Sequence, residues 1–128
     1  MIVDDDESVL SITKELLDYL GYKTVTATTG ESALEIYTKD PKAIDLILLD
    51  LSMPGMGGRK CLNKLIEFAP DVKVVIASGY SGDSMIKRKQ DAGAQGYLTK
   101  PYKVEDISRV LREALDRPPK NDYPLGVR

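Results

Sequence analysis

Asp45-Leu46-Ile47-Leu48-Leu49-Asp50-Leu51-Ser52-Met53-Pro54-Gly55 is the stretch from which the fold can be read. An unbroken apolar run, rather than an alternating one, marks a strand covered on both faces, as at the centre of a parallel sheet. Pro54-Gly55 turns the chain immediately afterwards, so Asp50 is expected where buried backbone gives way to loop. A carboxylate in such a place is costly unless something pairs with it.

Upstream, Ile2-Val3 is a short apolar stub followed by Asp4-Asp5-Asp6-Glu7. A helix comes next, with Val9, Ile12, Leu16 and Leu20 on one face and Gly21 as its stop. Acids in a first turn suit the positive end of the helix dipole, which accounts for Asp6 and Glu7 but not for Asp4 and Asp5. Lys23-Thr24-Val25-Thr26-Ala27 alternates as an edge strand does. Thr29-Gly30 opens a second helix that shows Ala33, Leu34 and Tyr37 to the core and ends at Asp40-Pro41.

Downstream, Gly57-Gly58 leads into a third helix carrying Cys61, Leu62, Leu65 and Ile66 inward. Val72-Lys73-Val74-Val75-Ile76-Ala77 is a second buried strand with Ser78-Gly79 at its end. The segment 83–92 has only Met85, Ile86 and Ala92 to bury beside a solvated Lys87-Arg88-Lys89. It is the weakest helix and the one expected to shift most readily. Gly96-Tyr97-Leu98-Thr99 is a short last strand before Lys100-Pro101, and a final helix over 104–116 buries Val104, Ile107, Leu111 and Leu115. Residues 1–117 are therefore expected to form one domain, with 118–128 a linker or tail beginning at Pro118-Pro119.

Five strand–helix repeats in 128 residues predict an α/β fold with a parallel five-stranded sheet and right-handed crossovers. Eighteen basic against twenty acidic residues give a net charge of −2, with no electrostatic case for nucleic acid or an anionic membrane. No apolar run approaches the ~20 residues of a membrane-spanning helix, and no signal peptide is evident. A lone Cys61 excludes an intrachain disulfide and suits a reducing, cytoplasmic setting. The absence of histidine removes histidine catalysis and most zinc sites.

In a parallel sheet all strands end along one edge, and ligands bind in the crevice there. Asp4-Asp5 come directly after the first strand, Asp50 after the third, Ser78 after the fourth and Lys100 after the fifth. Two carboxylates ~5 Å apart repel by roughly 3 kcal/mol at an effective dielectric of ~20. A divalent ion removes that cost, and hard oxygen ligands favour Mg²⁺ or Mn²⁺.

Val3-Asp4-Asp5, the motif from Leu49 to Gly55, Ala77-Ser78-Gly79 and Tyr97-Leu98-Thr99-Lys100-Pro101 together resemble the receiver domain of two-component response regulators. The resemblance covers residues 1 to about 117 and implies the flavodoxin-like (βα)5 doubly wound fold with strand order 2-1-3-4-5. It implies that Asp50 accepts a phosphoryl group from a phosphohistidine on a histidine kinase or a histidine phosphotransfer protein. Asp5, Asp50 and the backbone carbonyl of Ser52 would bind Mg²⁺, with Asp4 acting largely through water. Lys100 and the Ser78 hydroxyl would meet the phosphoryl oxygens. Ser78 and Tyr97 would act as a switch pair on the face of the fourth helix, fifth strand and fifth helix. The resemblance also implies a cis Lys100-Pro101 peptide, and no independent substrate turnover.

Two departures stand out. The first strand is shorter than the family usually shows, as if cut from a longer protein, and Gly57 stands where members often carry an acid. Ser78-Gly79-Tyr80-Ser81-Gly82 with the Pro-rich end resembles the receivers of hybrid sensor kinases, so a fused kinase or effector is expected outside this chain. A haloacid-dehalogenase-like Mg²⁺ phosphatase is the enzymatic rival. That family carries an acid two residues after its nucleophile, where this chain has Ser52, and its nucleophile comes after the first strand. A degenerate, docking-only receiver is the third reading, and the full set of site residues speaks against it.

Overall fold

The computed structural model describes residues 1–53, 55–78 and 93–118. Among them β1 (Ile2–Val3), β2 (Thr26–Ala27), β3 (Ile47–Asp50), β4 (Val74–Ser78) and β5 (Ala94–Thr99) form one parallel sheet in the order β2-β1-β3-β4-β5. The helices α1 (Glu7–Tyr19), α2 (Gly30–Lys39) and α3 (Gly58–Phe68) and the 104–116 helix (Val104–Asp116) cover it. The helix expected over 83–92, with its basic run, and all of the expected 118–128 tail except Pro118 lie outside the described residues.

The pleat divides the apolar strands between two cores. Val3, Ile47, Leu49, Val74 and Ile76 pack with α2 and α3 through Ala33, Tyr37, Cys61, Leu62 and Leu65. Ile2, Leu48, Val75, Ala77 and Leu98 face the other way, against Leu10, Leu17, Ile107, Val110, Leu111 and Ala114. β3 and β4 are buried along their whole length, as their apolar runs over 47–49 and 74–77 require, and the burial extends to the polar residues Asp50 and Ser78 at their ends.

The helix ends follow local chemistry. Asp6 caps α1, accepting from the amides of Ser8 and Val9, and Thr29 caps α2, accepting from Ser32. Gly21, at φ 97°, closes α1.

The buried faces of two helices differ from expectation. In α1 the inward residues are Leu10, Thr13 and Leu17, whereas Ile12 is 68% exposed. Thr13 can occupy a core position because its hydroxyl donates to the Val9 carbonyl at 2.7 Å. In the 104–116 helix Val110 and Ala114 join Ile107 and Leu111 inward, and Val104, at the first turn, is exposed. The second strand spans two residues rather than five. The fifth starts at Ala94, two residues early, because a bulge pairs Val74 with Ala94 and Val75 with Gly96 and leaves Gln95 out of the ladder. No helix among the described residues is long and apolar enough to cross a membrane.

Candidate functional site

The polar groups meet at the C-terminal edge of the sheet because strand pairing runs on for one residue past the strand ends. Asp4 N–H donates to Ala27 O at 3.1 Å, Leu51 N–H to Ala77 O at 3.0 Å, and Lys100 N–H to Ser78 O at 2.7 Å. These bonds fix the backbone on which Asp4, Asp50, Ser78 and Lys100 stand. The Lys100–Pro101 peptide is cis, as the resemblance implied.

Asp4 is 2% exposed and Asp50 3%. Both oxygens of Asp4 are engaged. Oδ1 accepts from Asp6 N–H at 2.9 Å, and Oδ2 lies 2.7 Å from Lys100 Nζ. Asp50 Oδ1 accepts from Ser52 N–H at 3.1 Å, and its Oδ2 is 3.3 Å from the same Nζ. Asp5 is exposed, yet Asp4, Asp5 and Asp50 each offer a carboxylate oxygen within 4.8 Å of the others. Ser78 is buried at the end of β4, beside Thr99 in register. Tyr97 is half-buried and packs against the first core.

Burial pushes the Asp50 carboxyl above its ordinary pKa. The Ser52 amide and Lys100 oppose the rise, and the charge of Asp4 adds to it. Burial alone would lower Lys100, but its hydrogen bond to Asp4 and the charges of Asp50 and Asp4 outweigh burial and raise it. Three carboxylates against one ammonium leave an excess of two negative charges among these four groups. A divalent cation matches that excess, and an all-oxygen donor set suits a hard one. Cys61, the lone thiol, is buried in the first core with its pKa pushed up to about 11 by burial and the charge of Glu31. It stands as packing, not as a ligand.

Tyr102 is a neighbour that the sequence pattern did not single out. Its phenol is pushed up by burial and then by Asp4 and Asp50, while its ring packs on the second core. An aromatic two residues past Lys100 was the available signal, and it reads equally well as core.

Comparison with known proteins agrees with this geometry. The family model of the response regulator receiver domain matches residues 1–112. Sporulation initiation phosphotransferase F of Bacillus subtilis is 31% identical over 115 residues, which make up 90% of this chain and 91% of that protein. Response regulator GacA of Pseudomonas aeruginosa is 36% identical over 88% of this chain, which spans only 53% of its length. A response regulator receiver domain protein from Clostridium thermocellum superposes with a TM-score of 0.83 at 28% identity, covering 91% of this chain and 92% of that one. With its five parallel strands in this order and its acidic edge, the chain belongs to the response regulator receiver domains of two-component signalling.

Proposed function

We propose that Asp50 is the phosphoacceptor of this receiver and that residues 1–117 are its working unit. The observation that carries the reading is the burial of Asp50 at the end of β3, with Lys100 Nζ 3.3 Å away and the Asp4 and Asp5 carboxylates beside it. Asp50 attacks the phosphorus of a phosphohistidine; the P–N bond breaks as the P–O bond forms, and the imidazole leaves. The protein's part in such a transfer is positioning and charge neutralisation. Lys100 moves from carboxylate to phosphoryl oxygen, and the Ser78 hydroxyl meets another of those oxygens.

Asp5, Asp50 and the Ser52 carbonyl would hold Mg²⁺, with Mn²⁺ as a substitute. Asp4, whose two oxygens already serve Asp6 and Lys100, would reach it through water. When bound, the ion offsets the charge that gathers as phosphoryl oxygens approach the carboxylates. Ser78 and Tyr97 then form the switch: movement of the hydroxyl toward the phosphoryl group vacates space for the ring to turn inward. The donor is a histidine kinase or histidine phosphotransfer protein, and the output lies in a partner or a fused domain. The domain takes up and loses its phosphoryl group without turning over a separate substrate.

The test is incubation with Mg²⁺ and acetyl phosphate, read as a mobility shift on a phosphate-affinity gel. Wild type should shift and Asp50→Asn should not. An equal shift in both, or none in wild type, overturns the reading.

A further inference from the structure

Gly58, the first residue of α3, sits closer to the Asp50 backbone than any side chain permits. A Cβ added to it would overlap the Asp50 carbonyl oxygen and the Leu51 Cα, and would stand 2.9 Å from the Leu51 carbonyl carbon. All three are main-chain atoms, so no flexible side chain can yield. The sheet side cannot yield either, since Asp50 is registered on Ala77 and Leu51 N–H donates to Ala77 O. Gly58 N–H reaches back to Leu51 O at 3.3 Å and closes the turn between them. Gly55 and Gly57, at φ 74° and 82°, supply the left-handed backbone that this return needs.

The turn is anchored from within. Met53 is buried in the first core, and Met56 lies against the start of α2, where a Cβ on Gly30 would be 3.2 Å from its Sδ. At the start of the turn the Ser52 N–H is held 3.1 Å from Asp50 Oδ1.

We propose that Gly58 is a positioning residue for phosphorylation: its missing side chain lets the turn close on the phosphoacceptor's own carbonyl, which aims the Asp50 carboxylate and presents Ser52 before any ion or donor arrives. The proposal rests on the assignment of Asp50 as phosphoacceptor. A side chain at position 58 would push the turn outward and carry Ser52 with it, because the strand holds Asp50 in the sheet.

The experiment compares wild type, Gly58→Ala and Gly21→Ala. Gly21 also has positive φ, but an added Cβ there meets nothing within 4 Å, so Gly21→Ala brings backbone strain without displacing the site. Three quantities are measured: thermal melting, Mg²⁺ affinity by calorimetry, and the rate of phosphorylation by acetyl phosphate at saturating Mg²⁺. Both variants should melt lower. Gly58→Ala should lose about tenfold or more in affinity and in rate, and Gly21→Ala should keep both. A folded Gly58→Ala with wild-type affinity and rate overturns the proposal. Failure of wild type to phosphorylate overturns the assignment of Asp50 instead. Should Gly58→Ala not fold, amide exchange in metal-free wild type decides: the Ser52 N–H should exchange at least about tenfold slower than an unstructured amide, and exchange at the unstructured rate overturns the proposal.

Discussion

Lys100 is held more closely by Asp4 than by Asp50, its Nζ lying 2.7 Å from the one and 3.3 Å from the other. Both carboxylates are buried, and the lysine side chain is only 18% exposed, so the three groups interact with little screening. Lys100 is thus the cluster's resident cation, anchored on Asp4, with a looser hold on the acid proposed to take the phosphoryl group. On the proposed reading, a phosphoryl oxygen arriving at Asp50 would replace the longer interaction and leave the shorter one in place.

Removing that cation should make stability depend on metal. In metal-free buffer Lys100→Met should lose stability toward the low end of the about 3–5 kcal/mol expected when one partner of a buried pair is deleted. Millimolar Mg²⁺ should restore much of the loss, and the variant should bind Mg²⁺ several-fold more tightly because a like charge has gone. Thermal melts with and without the ion check this. An equal Mg²⁺ response in wild type and variant would show that Lys100 does not neutralise the cluster.

Asp50 makes a pH-dependent contribution whose sign is set by its raised pKa. Between the ordinary carboxylate pKa and the raised native one, the folded protein holds the proton that the unfolded chain has released. Stability therefore falls as pH rises through that window. Above it the charged, buried carboxylate is a standing cost, so metal-free Asp50→Asn should be more stable than wild type at pH 7. The gap should narrow as pH drops toward the ordinary carboxylate range. With about 4 °C per kcal/mol for a domain of this size, melting curves at pH 7 and pH 4 resolve it. Equal gaps at the two pH values would contradict the assignment of the shift to Asp50.

The sheet was legible because β3 and β4 are apolar at nearly every position before their polar ends, and a strand covered on both faces has that pattern. The convergence of Asp4, Asp50, Ser78 and Lys100 was legible for a related reason: parallel strands bring all their C-terminal ends to one edge. The helix faces were harder. Ile12 and Leu16 compete with Leu10 and Leu17 for the inward side of α1, and a helical period cannot foresee that Thr13 hides its hydroxyl in a bond to Val9. Nor does any pattern announce that Asp4 spends one oxygen on the Asp6 amide, that Gln95 bulges, or that residue 58 must lack a side chain. These depend on how close two backbones come, which residue type alone does not encode.

Asp4 and Asp5 are neighbours in sequence with opposite surroundings, and their substitutions should separate metal binding from folding. Asp5 is exposed, so Asp5→Asn should cost little stability while lowering Mg²⁺ affinity about tenfold or more. Asp4→Ala removes both the acceptor of the Asp6 amide and the closer partner of Lys100, and should destabilise by about 2–4 kcal/mol. Calorimetric Mg²⁺ titration and urea unfolding of the two variants check the separation. Equal losses of stability in both would contradict it.

At the opposite edge of the sheet Lys73 ties down the end of the 104–116 helix. Its Nζ donates to Leu115 O at 2.8 Å and Arg117 O at 2.5 Å, and Arg117 in turn donates to Gln95 O at 3.0 Å. The last carbonyls of a helix lack partners within it, and a cation there also meets the negative end of the dipole. The arrangement fastens the helix end to the segments entering β4 and β5, at the other end of the strands from the acidic edge that holds Asp50. Lys73→Met keeps the apolar stem and removes the charge, so it should cost about 1–2 kcal/mol and speed amide exchange in the last helical turn. Phosphorylation of Asp50 should proceed at the wild-type rate, because Lys73 and Gln95 stand where β4 and β5 begin and Asp50 stands where β3 ends. Unchanged stability would mean that the two carbonyls are served equally well by water, and a slowed phosphorylation would mean that the two edges of the sheet are coupled.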